Sequence, residues 1–121
     1  MQYKIAFSAD EGFVRITVYD LITADLERGF AKEAIAAAKQ NGVLRYLVDV
    51  REVPNVASPL DQYSFAYEDM VRLGLDRSSR IAVLVGQDDH SHDFIETVFR
   101  NARHTCQLFA DEDDARHWLS H

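Results

Sequence analysis

Apolar residues recur with two different periods along this 121-residue chain. They alternate with polar residues from Tyr3 to Ser8 and from Phe13 to Tyr19, which predicts two strands with one buried face each. The acidic turn between them contains a glycine, so we expect the two strands to pair as an antiparallel hairpin. The segments Val43 to Val50 and Ile81 to Val85 are apolar almost throughout, as is typical of strands covered on both faces.

Segments with helical periodicity lie between and after these strands, and capping residues mark their ends. Thr23 is a predicted N-cap and Gly42 a predicted stop for the first helix. Ser58 followed by Pro59 predicts the start of a second helix, which Gly74 ends. A third helix over 93–102, a short strand over 106–109 and a last helix after the acidic run 111–114 complete the pattern. The core candidates are Phe13, Val14, Ile16, Tyr19, Phe30, Phe94, Phe99 and Trp118.

The predicted element order is β-β-α-β-α-β-α-β-α, a hairpin followed by repeated strand–helix units. This order predicts a single α/β domain over residues 1–121 with a mixed sheet, in which the later strands run parallel. The carboxyl ends of parallel strands share one edge of the sheet, where α/β proteins usually place their binding sites.

Composition and charge exclude several classes of function. The chain carries 20 acidic and 13 basic residues, a net charge of -7, so binding to nucleic acid or to an anionic membrane is not expected. No stretch approaches the ~20 apolar residues of a membrane span, and the first residues do not form a signal peptide, so a cytoplasmic location is expected. With Cys106 as its one cysteine, the chain has no intrachain disulfide and no four-cysteine zinc site.

The loop after the second buried strand is rich in side chains that bind metals or protons. Its five candidate groups are Asp88, Asp89, His90, His92 and Asp93. Two histidines that are two residues apart diverge where a helix begins, so we predict no metal site. We interpret Asp89 or Ser91 as the cap of the following helix, and His90 and His92 as rim residues of a binding site.

The end of the preceding buried strand should bring further polar residues to the same edge. Asp49, Arg51 and Glu52 are expected near Asp88 and His90, and Asp49 near a histidine could orient a general base. No nucleophile elbow and no phosphate-binding glycine loop is present, so neither an enzyme nor a cofactor is predicted.

The helix over 58–73 carries more apolar side chains than a minimal core face needs. Six of them cover about half of its circumference: Leu60, Tyr63, Tyr67, Met70, Val71 and Leu73. Phe65 falls among Asp61, Asp69 and Arg72, on what we take to be the polar face. The simplest interpretation is a wide core face and one exposed phenylalanine. The alternatives are a surface for a protein partner or a second copy, and a groove for a lipid-like ligand.

Three segments resemble those of a known family. Residues 46–50 form an apolar strand that reaches Asp49, residues 55–59 form a loop leading into a helix start, and residues 109–119 form a strand, an acidic cap and a tryptophan-leucine helix. With the element order, they resemble the STAS domain, the fold of anti-sigma-factor antagonists, and most closely its stand-alone SpoIIAA-like branch. The resemblance implies a regulatory role through protein contacts. It also implies a fold related to CRAL-TRIO lipid-transfer domains.

One departure from the family pattern concerns its phosphorylation switch. Antagonists of this family carry Asp-Ser-Ser-Gly at the helix start, and a partner kinase phosphorylates the second serine. The matching positions here are Ala57, Ser58 and Pro59, and proline has no hydroxyl to phosphorylate. We therefore predict that Ser58 acts as an N-cap, with a shifted phosphoacceptor role as the alternative.

We expect a non-enzymatic regulatory or interaction module that contacts a protein partner or a second copy of itself. The predicted binding surface consists of Asp49, Arg51, Glu52, Ser58, Tyr63, Phe65, Tyr67, Asp88, His90 and His92. One alternative is a carrier of a small apolar, lipid-like ligand. The other is a metal- or histidine-dependent enzyme at the edge formed by Asp49, Asp88 and His90.

Overall fold

The strands form one five-stranded mixed sheet whose spatial order follows the chain order. The computed structural model describes all 121 residues. Strands β1 (Tyr3–Ser8) and β2 (Phe13–Val18) pair as an antiparallel hairpin. Strands β3 (Arg45–Asp49), β4 (Arg80–Leu84) and β5 (Thr105–Phe109) continue from β2 in parallel. The predicted mixed α/β sheet with a leading hairpin is confirmed.

The helices occupy the positions that the sequence predicts, with one irregularity. They are α1 (Ala24–Asn41), α2 (Pro59–Ser64), a π-helical segment (Phe65–Asp69), α3 (Met70–Leu73), α4 (Asp93–Asn101) and α5 (Glu112–Leu119). Because α2, the π-helical segment and α3 run on without a break, we call residues 59–73 the interrupted helix. In its wide turn the backbone N–H of Met70 donates to the carbonyl of Phe65, five residues back.

The capping predictions agree with the observed ends of the helices. The hydroxyl of Thr23 accepts a hydrogen bond from the N–H of Leu26 at 3.2 Å, and that of Ser58 accepts from Asp61 at 3.1 Å. Gly42 ends α1 in the left-handed conformation, with a φ of 65° that a residue with a side chain rarely adopts. These local signals fix where each helix begins or ends.

The two faces of the sheet are covered unequally. Helix α1, the interrupted helix and α4 cover one face and enclose a core of 25 buried residues. Helix α5 alone covers the other face, over a core of six buried residues that includes Leu47, Leu84 and Leu119. Because the crossovers between β2 and β5 all lie on the first face, the interrupted helix is held between α1 and α4 above the middle strands.

The interrupted helix is rotated from the predicted orientation: Met70 is buried and Leu73 packs against the core as predicted, but the other residues of the predicted face point outward. Phe65, predicted to be exposed, is 7% exposed and packs in the main core with its ring 5.7 Å from that of Phe99. Tyr63 and Tyr67, predicted to face the core, point outward. The buried positions are Gln62, Phe65, Ala66, Asp69 and Met70.

The polar members of the buried face explain this orientation. The side-chain amide of Gln62 donates to the carbonyl of Ala57 at 2.9 Å, and Arg28 of α1 donates through Nε to Asp69 at 3.0 Å. Polar groups that find such partners can be buried at little cost. The face with Phe65 therefore packs inward although it contains a glutamine and an aspartate.

Two further core predictions are wrong. Tyr19 lies one residue beyond β2 and is exposed, and Phe94 is exposed at the start of α4. The buried face of α4 is centred on Ile95, Val98 and Phe99, and Phe94 lies to the side of that face. Tyr19 continues the alternation of β2 after the strand itself has ended, and Phe94 has helical spacing but lies outside the face of α4 that packs on the sheet.

The observed orientation of the interrupted helix predicts different roles for two aromatic residues that are two positions apart. Phe65→Ala removes a buried ring and should lower the free energy of unfolding by about 3 kcal/mol. Tyr67→Ala removes an exposed side chain and should lower it by less than about 1 kcal/mol. Urea unfolding of both variants measures the difference, and equal losses would contradict the orientation.

Candidate functional site

The loop between β3 and α2 is held in place by Asn55. Its backbone N–H donates to the hydroxyl of Ser91, and its side-chain amide donates to Oε1 of Glu27 in α1, each at 2.9 Å. Its side-chain oxygen accepts from the N–H of Ala57, also at 2.9 Å. Asn55 thus ties the start of the interrupted helix to α1 and to the loop between β4 and α4.

Glu27 is buried more deeply than an acid of the first helical turn would be expected to be. It is 3% exposed, and its Oε2 atom has no hydrogen-bond partner. Burial raises the pKa of Glu27 to about 7, and the nearby Asp61 and Asp69 act in the same direction. The hydrogen bond from Asn55 and the charge of Arg28 lower the pKa but do not outweigh the burial.

His92 supports the loops and does not line a rim, which corrects the prediction. It is 2% exposed, and its Nε2 atom lies 3.0 Å from the carbonyl oxygen of Val53 and 3.4 Å from a carboxylate oxygen of Asp89. Hydrogen bonds to Asp89 from the hydroxyl of Ser91, and secondarily from its backbone N–H, lower the pKa of Asp89. The prediction that Asp89 or Ser91 caps α4 is wrong, because neither side chain bonds to the first turn of that helix. Asp89 bonds to Ser91 within the loop, and the hydroxyl of Ser91 accepts from Asn55 in the neighbouring loop.

The predicted edge residues do not converge into one site. Asp49 is bound by Arg51 through two contacts, of 3.1 Å from Nε and 2.7 Å from Nη2, and no histidine contacts it. His90 is exposed and lies 3.2 Å from Asp93. Glu52 and Asp88 are exposed and form no ion pair.

The backbones at this edge do come together. A Cβ atom added to Gly86 would lie 3.1 Å from the carbonyl oxygen of Arg51. The loops therefore meet as expected, while their side chains turn to different partners. No three histidine, cysteine, aspartate or glutamate side chains are grouped in a way that could hold a metal ion.

The outer face of the interrupted helix carries a stripe of large apolar side chains. Its members are Leu60, Tyr63, Tyr67 and Val71, which are between 36% and 73% exposed. The rings of Tyr63 and Tyr67 stack on each other with centroids 4.3 Å apart. We call these four residues the exposed stripe. Isolated exposed apolar residues are common, whereas the four members of the exposed stripe form a continuous row on one helix.

Two small cavities lie beneath the same helix. Each has a volume of about 70 Å³, and both are lined by Phe30, Val48, Phe65, Ile81 and Phe99. One has only hydrophobic residues on its walls, and the other also reaches Glu27, Asn55 and His92. The interrupted helix therefore separates an apolar interior from an apolar exterior.

The sequence matches a family model, described as SpoIIAA-like, over residues 13–120. The chain belongs to the SpoIIAA-like family. SpoIIAA-like domains are generally non-enzymatic regulatory domains and typically interact with other proteins. A curated protein similar to this chain was not found.

A solved structure supports the same fold. It is an uncharacterized protein with a SpoIIAA-like fold from Shewanella loihica PV-4, which is 19% identical to this chain with a TM-score of 0.59. The match covers 97% of this chain and 91% of that protein. No helix of this SpoIIAA-like chain is both long enough and apolar enough to cross a membrane.

Sequence reasoning missed Asn55 and Glu27 as the residues that hold this SpoIIAA-like loop. Glu27 matched the helix-dipole pattern of the first turn of α1, and nothing local indicates its burial. The one available signal was Asn55 itself, because an asparagine often bonds the backbone two residues on, as it does here to Ala57.

The buried Glu27 makes a prediction about pH. In the folded chain Glu27 keeps its proton up to about pH 7, whereas in the unfolded chain it loses it near its ordinary pKa of 4.5. The folded state binds more protons between these values, so this group lowers the free energy of unfolding as pH rises through the window. Glutamine does not titrate, so the Glu27→Gln variant escapes this loss. The free energy of unfolding of the variant minus that of the unmodified chain should therefore rise by about 2 kcal/mol from about pH 5 to about pH 8.

Urea unfolding at both pH values measures this gain. Glu68→Gln, which neutralises an exposed acid of the interrupted helix, is the matched control and should give the same difference at both. A Glu27→Gln difference that does not change with pH would contradict the buried, protonated carboxyl.

Proposed function

We propose that this SpoIIAA-like chain is a non-enzymatic interaction module that pairs with a second copy of itself through the exposed stripe. The observation that carries the proposal is the stripe: four large apolar side chains in a row on one helix, which nothing in the chain covers. Covering such a row removes apolar area from water, which stabilises association by roughly 25 cal/mol for each Å² that is buried.

The order of side chains along the stripe favours a second copy as the occupant. From either end it reads aliphatic, tyrosine, tyrosine, aliphatic, from Leu60 to Val71. A twofold axis requires that one surface complement itself, and antiparallel packing of two such helices satisfies this. It places Tyr63 of one copy against Tyr67 of the other, and Leu60 against Val71.

The proposal predicts a dimer that depends on the stripe. Sedimentation velocity should show self-association in the micromolar range, as is typical of small interfaces with a few aromatic anchors. The double change Tyr63→Ser and Tyr67→Ser should weaken it at least about tenfold. Tyr19→Ser with Leu21→Ser removes two large exposed side chains elsewhere and should leave it unchanged.

A strict monomer at about 1 mM would contradict the proposal, since an association free energy of only about -4 kcal/mol already populates a dimer there. Equal weakening by both double variants would also contradict it, because the contact would then not be specific to the stripe.

The cavities beneath the interrupted helix favour a second candidate function, the carriage of a small apolar ligand. Each is smaller than the ~150 Å³ cavity that accepts benzene, so an acyl chain would require the interrupted helix to move outward. Under this hypothesis, native mass spectrometry of freshly purified protein shows a bound adduct, and Phe65→Trp, which enlarges a side chain that lines both cavities, reduces it. A spectrum of bare chain alone would exclude it.

A further inference from the structure

A groove lies at the amino ends of β4 and β5, at the opposite edge of the sheet from the loops that Asn55 and His92 hold together. Its volume is about 340 Å³. Its walls are Arg80, Arg100, His104, Thr105, Cys106, Gln107 and Trp118. No acidic residue lines this groove, although the chain as a whole carries a net charge of -7.

Arg80 is a partly buried cation without a counter-charge. Six of the ten arginines form an ion pair with an acid, namely Arg15, Arg28, Arg51, Arg72, Arg100 and Arg116. Arg80 does not, and its Nε atom is buried without a hydrogen-bond partner. Its guanidinium lies over the ring of Trp118 at 4.3 Å, which holds the planar group in one orientation.

The neighbouring strand adds a second positive charge. Arg45 of β3 is aligned with Arg80 in the sheet register, so both side chains leave the same face. Like charges at adjacent positions of neighbouring strands repel each other. An anion bound beside Arg80 would remove this repulsion and provide the missing acceptor.

The remaining polar groups of the groove are positioned for the same ligand. Its side-chain hydrogen bonds within the chain are those of Arg100 to the carbonyl of Cys106 and of His104 to the carbonyl of Ala66. The hydroxyl of Thr105 and the amide of Gln107 remain free to donate. Glu96 neutralises Arg100 at 3.4 Å, which leaves Arg80 as the uncompensated charge.

We propose that this groove binds the phosphate group of a small free molecule. A guanidinium fork presents paired donors that match phosphate oxygens. A phosphate offers enough oxygens for Arg80, Thr105 and Gln107 together, whereas a carboxylate offers two. The net charge of the chain disfavours long polyanions and anionic bilayers, so the phosphate belongs to a small molecule.

Trp118 is the one tryptophan of the chain, so its fluorescence reports on the groove. Titration with inorganic phosphate should change it saturably, and isothermal calorimetry should give the same affinity. Arg80→Gln should weaken binding at least about tenfold. Lys32→Gln, the same charge change at an exposed position of α1, should not alter it. Added sodium chloride should weaken binding progressively.

Further variants separate recognition from folding. Arg80→Lys keeps the charge but loses the paired donors, and Gln107→Leu removes one donor from the groove wall. Both should weaken binding while the thermal unfolding temperature stays near that of the unmodified chain. The absence of a saturable signal by both methods, or equal binding by Arg80→Gln and the unmodified chain, would overturn the proposal.

The source of the phosphate group is tested with vesicles of phosphatidylcholine that contain phosphatidic acid. Inorganic phosphate should give the response at concentrations at which vesicles of equal phosphate content give none. A response to vesicles alone would overturn the assignment to a small free molecule.

Discussion

The packing of Phe65 against Phe99 fixes the orientation of the helix on which the candidate surface lies. A helix turns by about 100° per residue, so placing Phe65, Ala66 and Met70 in the core directs Leu60, Tyr63 and Tyr67 outward. Phe65 also lines both cavities beneath the helix. The exposed stripe and the apolar interior are therefore two consequences of one buried ring.

The same helix is attached by polar contacts that are only partly satisfied. Gln62 and Asp69 find partners, yet Oε1 of Gln62 and Oε2 of Glu27 have none, and a buried polar atom without a partner costs roughly 1–3 kcal/mol. A helix that packs above small cavities with unpartnered polar atoms opens more easily than a helix in a filled core. The region that presents the apolar surface is thus held less tightly than a helix over a filled, fully hydrogen-bonded core would be.

The sequence was sufficient for features that depend on local chemistry. Thr23, Ser58 and Gly42 lie at the helix ends that they predicted, because a cap is decided by residues within one turn. The face of the interrupted helix was not predictable in this way. Both of its faces have helical spacing, and the more apolar one was predicted to be the core. The structure keeps only Met70 and Leu73 of that face in contact with the core and buries Phe65 and Asp69 beside them, because Arg28, 41 positions before Asp69, supplies a partner that no local window contains.

Helix α5 explains why the two edges of the sheet differ electrostatically. Its first residue, Glu112, accepts hydrogen bonds from Arg15 and Arg116, which lower its pKa, and it lies 3.4 Å from Arg51. The arginines of the carboxyl edge therefore have acidic partners. The last turn of α5 contributes Trp118, whose ring packs against the guanidinium of Arg80. A tryptophan ring has no negative charge, so it does not form an ion pair with Arg80. Parallel sheets usually bind ligands at their carboxyl edge. In this chain the arginines of that edge are paired internally, and the uncompensated Arg80 lies at the amino edge.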